Sequence, residues 1–407
     1  MKKSLILWLF PLFSFAGNLG ELLNFAEQNK QVEASRYSLE ATKEKEYATK
    51  SGYMPNLTLG ANQTFNQDSN AFTAEKSTTG SATLAFTVYD GGKREASFEQ
   101  QQALVKSATF ALASIQNNIS LDVIYYYYNY LSTLATKEST LKKMEQLEAE
   151  RYRLEKFLSV GSITADEVQK IVSSIEQTKV DLLTLDNSLN NISNTLEYLT
   201  GQEVVVKKGS SIVYNDTNIE EGKRLDILAL EESVQSNKSE IEIAKAPNKP
   251  TIVIQDTYSK YEFDYPTQVD SLDQQNSIQL MMEWKIFDFG STSANAQAAY
   301  LNYLSKNSEL AYSKYKAKAS FKNAQNSYKT SLAKIEAAKS KLQASEMTYE
   351  LIKKKFQQGI VNNVSYLDAL SDKFNSNSQL QTALNEVEYQ KAVLLYEMGE
   401  NIKGAIQ

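Results

Sequence analysis

The 407-residue sequence contains neither histidine nor cysteine, so any chemistry must rest on carboxylates, lysines and hydroxyls. The commonest general base and metal ligand is therefore gone, together with thiol catalysis, disulfides and thiolate metal sites. Five carboxylates stand out by position: Asp90, Asp166, Glu167, Asp288 and Asp368. Asp90 lies between a strand-like run and Gly91-Gly92, where it can accept free amide hydrogens as a helix begins. Asp166 and Glu167 open a helix, where acids cap the first turn and offset its dipole. Asp368 falls on a solvated helix turn. Nothing gathers paired acids in a pocket-like context, so the chain reads as a non-enzyme with no cofactor and no metal. A carboxylate-based hydrolase is the least supported reading.

The elements that position these acids are few and long. Only 5 prolines and 15 glycines punctuate the chain, which suits long elements rather than many short ones. A hydrophobic fraction of 42% is too high for disorder and too low for a bundle of membrane helices. The formal net charge of -6, with no basic stretch to offset it, argues against nucleic acid as a partner. Residues 1–16 read as a secretory signal: Lys2 and Lys3, an apolar core from Leu5 to Phe15, and a Ser14-Phe15-Ala16 cleavage site. That core is shorter than the roughly 18 residues of a spanning helix. Without cysteine the chain also lacks the residue that anchors a bacterial lipoprotein.

Two stretches repeat one sentence about half a chain apart. Leu84, Phe86 and Val88 alternate into Asp90-Gly91-Gly92, and Ile278, Leu280, Met282, Trp284 and Ile286 alternate into Asp288-Phe289-Gly290. Strand, junction and helix recur, which marks a tandem duplication. The first repeat, 17–201, holds a helix from Leu19 to about Thr49, a β-hairpin over 53–90 with strands Leu57–Phe65 and Ser81–Tyr89, and a helical hairpin over 92–200. Residues 202–218 are a short extended side segment. The second repeat, 219–400, has a helix from about Ile219 to Ala246, a β-hairpin over 250–289 with strands Thr251–Phe263 and Ile278–Phe287, and a helical hairpin over 290–400. Residues 401–407 form a tail.

The first helical run after Gly92 has no proline or glycine for roughly 65 residues, about 100 Å at 1.5 Å per residue. Its partner carries Val168, Ile171, Ile175, Thr178, Leu182, Leu185, Leu189, Ile192, Leu196 and Leu199 at alternating spacings of three and four, a coiled-coil seam. The tyrosines Tyr125 to Tyr128 point to successive faces and suit packing on several neighbours. In the last strand Gln279, Met281, Glu283 and Lys285 alternate with the apolar set, giving an apolar outer face and a mixed inner one. Four strands are too few to close a barrel alone.

In these features the chain resembles the TolC family of outer-membrane efflux proteins. The resemblance rests on Val88-Tyr89-Asp90-Gly91-Gly92 and Ile286-Phe287-Asp288-Phe289-Gly290, the strands after Pro55 and Pro250, and Arg224-Leu225-Asp226-Ile227. The hairpin tips Phe157-Leu158-Ser159-Val160-Gly161 and Phe356-Gln357-Gln358-Gly359 complete it. It implies a mainly α fold with β: a homotrimer sharing one 12-stranded outer-membrane β-barrel, continuous with a periplasmic α-helical coiled-coil tunnel. The implied role is an exit duct in the outer membrane of a Gram-negative bacterium, working with a periplasmic adaptor and an inner-membrane efflux or secretion transporter. A soluble periplasmic adaptor-like coiled coil is the alternative, disfavoured by the doubled strand pairs.

The resemblance also implies a gate at the tunnel tip. Matching the glycines puts Asp166 and Glu167 at the acidic position of the first hairpin and Asp368 at one in the second. Ser365 replaces a second acid there, Val361 stands where arginine is frequent, and Phe356 lacks a tyrosine's hydroxyl. Gly161 and Gly359 mark the turns that an adaptor would meet. A ring of Glu167 and Asp368 carboxylates from three chains would favour cations.

Overall fold

A computed structural model describes residues 15–70, 72–214, 222–267 and 270–407. Of the signal peptide expected over residues 1–16, residues 1–14 lie outside them and Phe15 and Ala16 fall in a strand; 215–221, which include the expected start of the second repeat, lie outside them too. The elements are β1 (Phe15–Gly17), α1 (Leu19–Ala26), α2 (Lys30–Gly52), β2 (Asn56–Phe65), β3 (Lys76–Asp90), α3 (Lys93–Ser159), α4 (Ala165–Thr200) and β4 (Val204–Val206). There follow α5 (Leu225–Lys245), β5 (Thr251–Asp264), β6 (Gln274–Glu283), α6 (Ser291–Gln357) and α7 (Asn363–Glu397), with short 3-10 turns at Ala246–Asn248 and Ile402–Ala405. The chain divides into two compact units. One holds the described residues up to Ala34 with Ala113–Leu225 and Tyr315–Gln407, the other Ser35–Leu112 and Asp226–Lys314.

The second unit contains a four-stranded antiparallel sheet in the order β2-β3-β5-β6. Residues directly opposite one another share a face, so the register sorts the side chains. One face carries the rows Leu57-Leu84-Asp256-Ile278, Phe86-Ile254-Leu280 and Tyr89-Ile252-Met282. The other carries Asn56-Ala85-Gln255-Gln279, Thr58-Thr83-Thr257-Ser277 and Gly60-Ser81-Ser259-Gln275. A bulge between Thr87 and Tyr89 shifts the register near the helical end. At the edges, β2 is exposed along its whole length and β6 everywhere but the half-buried Ser277, and each pairs with one strand among the described residues.

Several sequence boundaries move. The expected single helix from Leu19 breaks at residues 27–29, where Asn29 donates from Nδ2 to the Leu199 carbonyl at 2.9 Å and accepts the Gln31 N–H at 2.8 Å. Strand β3 begins at Lys76 rather than Ser81, because β2 and β5 supply partners on both sides of that stretch. Strand β6 lies earlier than expected and stops at Glu283: Trp284 turns away and its indole N–H donates to the Asn248 carbonyl at 3.0 Å. Helix α5 starts at Leu225, not Ile219. Gly222 lies against the Met398 carbonyl, so close that a Cβ there would stand 1.7 Å from the oxygen. The Arg224 side chain pairs with Glu397 at 2.8 Å.

In the other unit, α3, α4, α6 and α7 bury a core of Leu147, Leu154, Ile171, Ile175, Tyr349 and Leu370. Along the α4 seam Val168, Ile171, Ile175, Leu189, Ile192, Leu196 and Leu199 are buried, while Leu182 and Leu185 are half-buried. Thr178, also buried, returns its hydroxyl to the Ser174 carbonyl at 2.7 Å, which removes the cost of a polar group in the seam. Tyr127 and Tyr128 are buried and donate to the carbonyls of Lys207 and Ser210, while Tyr125 packs edge-on against Tyr126 and Tyr389. Burial and the Glu388 carboxylate push the Tyr128 hydroxyl well above its ordinary range. The extended side segment and the tail meet: Ser211 and Gln407 exchange backbone bonds at 3.0 Å each, and β1 pairs parallel with β4.

Candidate functional site

Both hairpin tips end a long helix on a left-handed glycine, Gly161 at φ 70° and Gly359 at φ 71°. After each glycine an amide reaches back to close the helix: Ser162 donates to the Phe157 carbonyl and Ile360 to the Lys355 carbonyl, both at 2.9 Å. This satisfies carbonyls that a helix end leaves free, and L side chains tolerate the glycine conformation poorly. The same turn is thus built twice. Its exposed points are Val160 and Ile360.

Thr164 precedes α4 as its N-cap but makes no side-chain cap bond. Its hydroxyl instead donates to Asp166, and Lys170 reaches Asp166 at 3.2 Å and Glu167 at 3.3 Å. The Thr164 hydrogen bond, followed by Lys170, holds the Asp166 carboxyl below the usual carboxylate range. The two acids therefore serve the first turn of α4, and one lysine offsets both. Helix α7 is capped by Asn362, whose Oδ1 accepts both the N–H and the hydroxyl of Ser365 at 3.0 Å. Ser365 is thus held by its own cap. Asp368 is exposed and forms no ion pair among the described residues.

A cleft of about 390 Å³ joins the two tips, with Arg153, Phe157, Glu167, Phe356 and Asn363 among its lining residues. Arg153 makes a bidentate pair with Glu150, Nε at 2.9 Å and Nη2 at 2.5 Å from the same oxygen. Its guanidinium carbon lies 5.4 Å from the Phe157 ring centre and 4.9 Å from that of Phe356. Phe356 in turn stacks on Tyr366, with centres 4.8 Å apart and planes at 15°. Asn363 is buried and donates from Nδ2 to the Glu167 carbonyl at 3.0 Å. Glu167 and Phe356 are therefore brought to one cleft, whereas Asp166, Ser365 and Asp368 point their polar groups to local partners or solvent.

Sequence reasoning missed Arg153, Tyr366 and Asn363. The one local signal is Glu150, three residues before Arg153, where a helix makes them neighbours. Val361 shows only that an arginine is missing at one place, not that another enters from α3.

At the strand-to-helix junctions the two repeats differ. Asp288 caps as expected of such a residue: its carboxylate accepts the N–H of Gly290 at 3.0 Å and the N–H of Thr292 at 2.8 Å. Asp90 does not. It is the last residue of β3, and its buried Oδ2 accepts no bond among the described residues. Two residues precede the helix at both junctions, but Asp90 is still paired with Thr251 in the sheet, whereas Asp288 lies beyond the end of β6. Gly91, at φ 77°, passes so close to Ala246 that a Cβ would stand 2.7 Å from the carbonyl oxygen. Gly92 and Gly290 also take positive φ, at 88° and 84°. Among the described residues no group of three or more acids is placed to hold a metal ion, and no helix is long and apolar enough to cross a membrane.

Comparison with known proteins fits this architecture. A sequence 21% identical over 396 residues, covering 92% of this chain and 80% of its own length, is the outer membrane protein TolC of Salmonella enteritidis. A membrane protein from Pseudomonas aeruginosa has the same fold, with a TM-score of 0.86 over 96% of this chain and 92% of its own at 17% identity. So does the outer membrane protein VceC of Vibrio cholerae, with a TM-score of 0.85 over 94% of this chain and 96% of its own at 16% identity. Residues 23–202 and 220–398 match the outer membrane efflux protein family, and the chain belongs to that family.

Proposed function

We propose that three copies of this chain form the exit duct of a tripartite efflux or type I secretion system. The observation that carries this reading is the sheet. It has four strands, two edges with a single partner each, and one face of exposed apolar rows that includes Ile278 at 71% and Leu280 at 73% exposure. Such a sheet neither closes on itself nor hides its apolar face, whereas three copies edge to edge do both in a bilayer. The aromatic residues Phe86, Trp284 and Phe287 stand at the helical end, where a barrel carries an interfacial girdle.

The tips of the two helical hairpins are then the periplasmic entrance. Exposed Val160 and Ile360 offer an adaptor an apolar contact at each turn. The stack of Arg153 on Phe157 and Phe356 holds the two hairpins of one chain together and takes the place of the latch that Val361 and Phe356 cannot make. Asp368 supplies the uncompensated negative charge at the aperture, with Glu167 partly offset by Lys170. Opening separates the hairpins as adaptor contacts shift the population.

The experiment is envelope fractionation followed by light scattering of the detergent-extracted particle and single-channel recording. An outer-membrane trimer that conducts is the expected result. A monomer, or a particle without conductance, overturns the duct.

A further inference from the structure

Along the sheet the polarity of the two faces reverses. Near the helices the Leu57–Ile278 face is apolar and the opposite face is built of hydroxyls and amides. Towards the loop end the apolar face turns mostly charged: Lys76 opposes Asp264 and Phe65, Lys260 follows two positions on from Tyr258, and Glu262 lies opposite Thr78. There the other face turns aromatic, with Phe263 opposite Ser77 and Tyr261 opposite Thr79. These rings form a ladder. Tyr261 and Phe263 are stacked with centres 5.6 Å apart and planes at 11°, and Tyr265 continues it at 5.7 Å.

In the proposed trimer the charged face meets water outside the barrel and the ladder faces the lumen. Aromatic rings on the lumenal side of an open mouth are not explained by a core or by lipid. Two exposed acidic residues adjoin this strand through their backbones: the Tyr261 N–H donates to the Asp273 carbonyl at 2.8 Å, and the Glu75 N–H to the Asp264 carbonyl at 2.8 Å, one residue before Tyr265. The stacked faces suit planar rings, the hydroxyls of Tyr261, Tyr265, Ser77 and Thr79 suit polar substituents, and the acids repel anions.

We infer that Tyr261, Phe263 and Tyr265 form an exit subsite for planar aromatic molecules that carry no negative charge. The inference rests on the duct reading for which face lines the lumen. Its test uses the full-length protein in planar bilayers with coumarin added on the loop side, coumarin-3-carboxylate as the anionic probe, and equilibrium dialysis of coumarin against the detergent-solubilised protein.

Coumarin should block the current transiently, with a residence about tenfold shorter in a Y261L/F263L/Y265L variant, the equivalent of one lost ring contact. Y261F/Y265F should keep the block, since it keeps the rings. Coumarin-3-carboxylate should block at least about tenfold more weakly than coumarin. Equal block of wild type and leucine variant, or equal block by both probes, overturns the subsite while leaving the duct intact. Ladder-dependent binding in dialysis without conductance supports the subsite and rejects the duct. Neither conductance nor ladder-dependent binding rejects both.

Discussion

The Arg153 guanidinium lies 4.9 Å from the centre of the Phe356 ring, joining α3 to α6 across the two hairpin tips. Glu150 holds the guanidinium from below with a bidentate pair, so the cation is oriented before it meets the ring. A partly desolvated contact of this kind contributes about 0.5–2 kcal/mol. Arg153→Lys keeps the charge and loses the planar stack. It should raise the open probability of single channels roughly three- to thirtyfold, by the energy of that contact. Phe356→Tyr should leave it near wild type. An unchanged open probability in Arg153→Lys would show that the hairpins are held elsewhere.

Asp368 and Asp166 should differ in their effect on ion selectivity. Asp166 is offset by Lys170 at 3.2 Å, while Asp368 is exposed with no ion pair among the described residues. Asp368→Asn should lower the cation-to-anion permeability ratio measured from reversal potentials, and Asp166→Asn should change it little. Adding Glu167→Gln to Asp368→Asn should lower it further. The reverse ranking would move the selective ring to the start of α4.

The titration of Asp166 gives a separate check. Its folded carboxyl is depressed below the ordinary 3.8 by the Thr164 hydroxyl first and Lys170 second. The interactions of the carboxylate therefore support the folded turn above that ordinary value, and they are lost as pH falls through the lower folded one. Carbon-13 shifts of the Asp166 carboxyl should give a midpoint below 3.8, and Thr164→Val should bring it back towards that value. A midpoint unmoved by Thr164→Val would place the cause with Lys170 alone.

The two junction glycines should respond unequally to alanine. Gly91→Ala sets a Cβ 2.7 Å from the Ala246 carbonyl oxygen as well as straining a positive φ, whereas around Gly290 nothing stands within 4 Å. Backbone strain alone costs on the order of 1 kcal/mol, and a clash with backbone adds to it. Thermal unfolding in detergent should show a lower midpoint for Gly91→Ala than for Gly290→Ala. Equal midpoints would mean that the Ala246 turn yields.

Local regularities of the chain were legible because their causes are local. Helix α3 runs from the Gly91-Gly92 junction to Gly161 because nothing in between breaks a hydrogen-bonded spiral, and the α4 seam shows itself at spacings of three and four. The alternation of Ile278, Leu280 and Met282 likewise announced a two-faced strand. That alternation continues through Trp284 and Ile286, however, and only tertiary structure ended the strand: β5 begins its pairing at Thr251 opposite Glu283, and Asn248 takes the indole.

Asp90 and Asp288 lie in matching stretches with two residues before each helix, yet only Asp288 caps one: Asp90 is still paired with Thr251 at the end of β3, whereas Asp288 lies beyond the end of β6. Arg153 and Phe356 stand about half a chain apart, so no spacing rule connects them. The packing of α3 against α6 does, since contacts between distant segments are set by which faces the whole core buries.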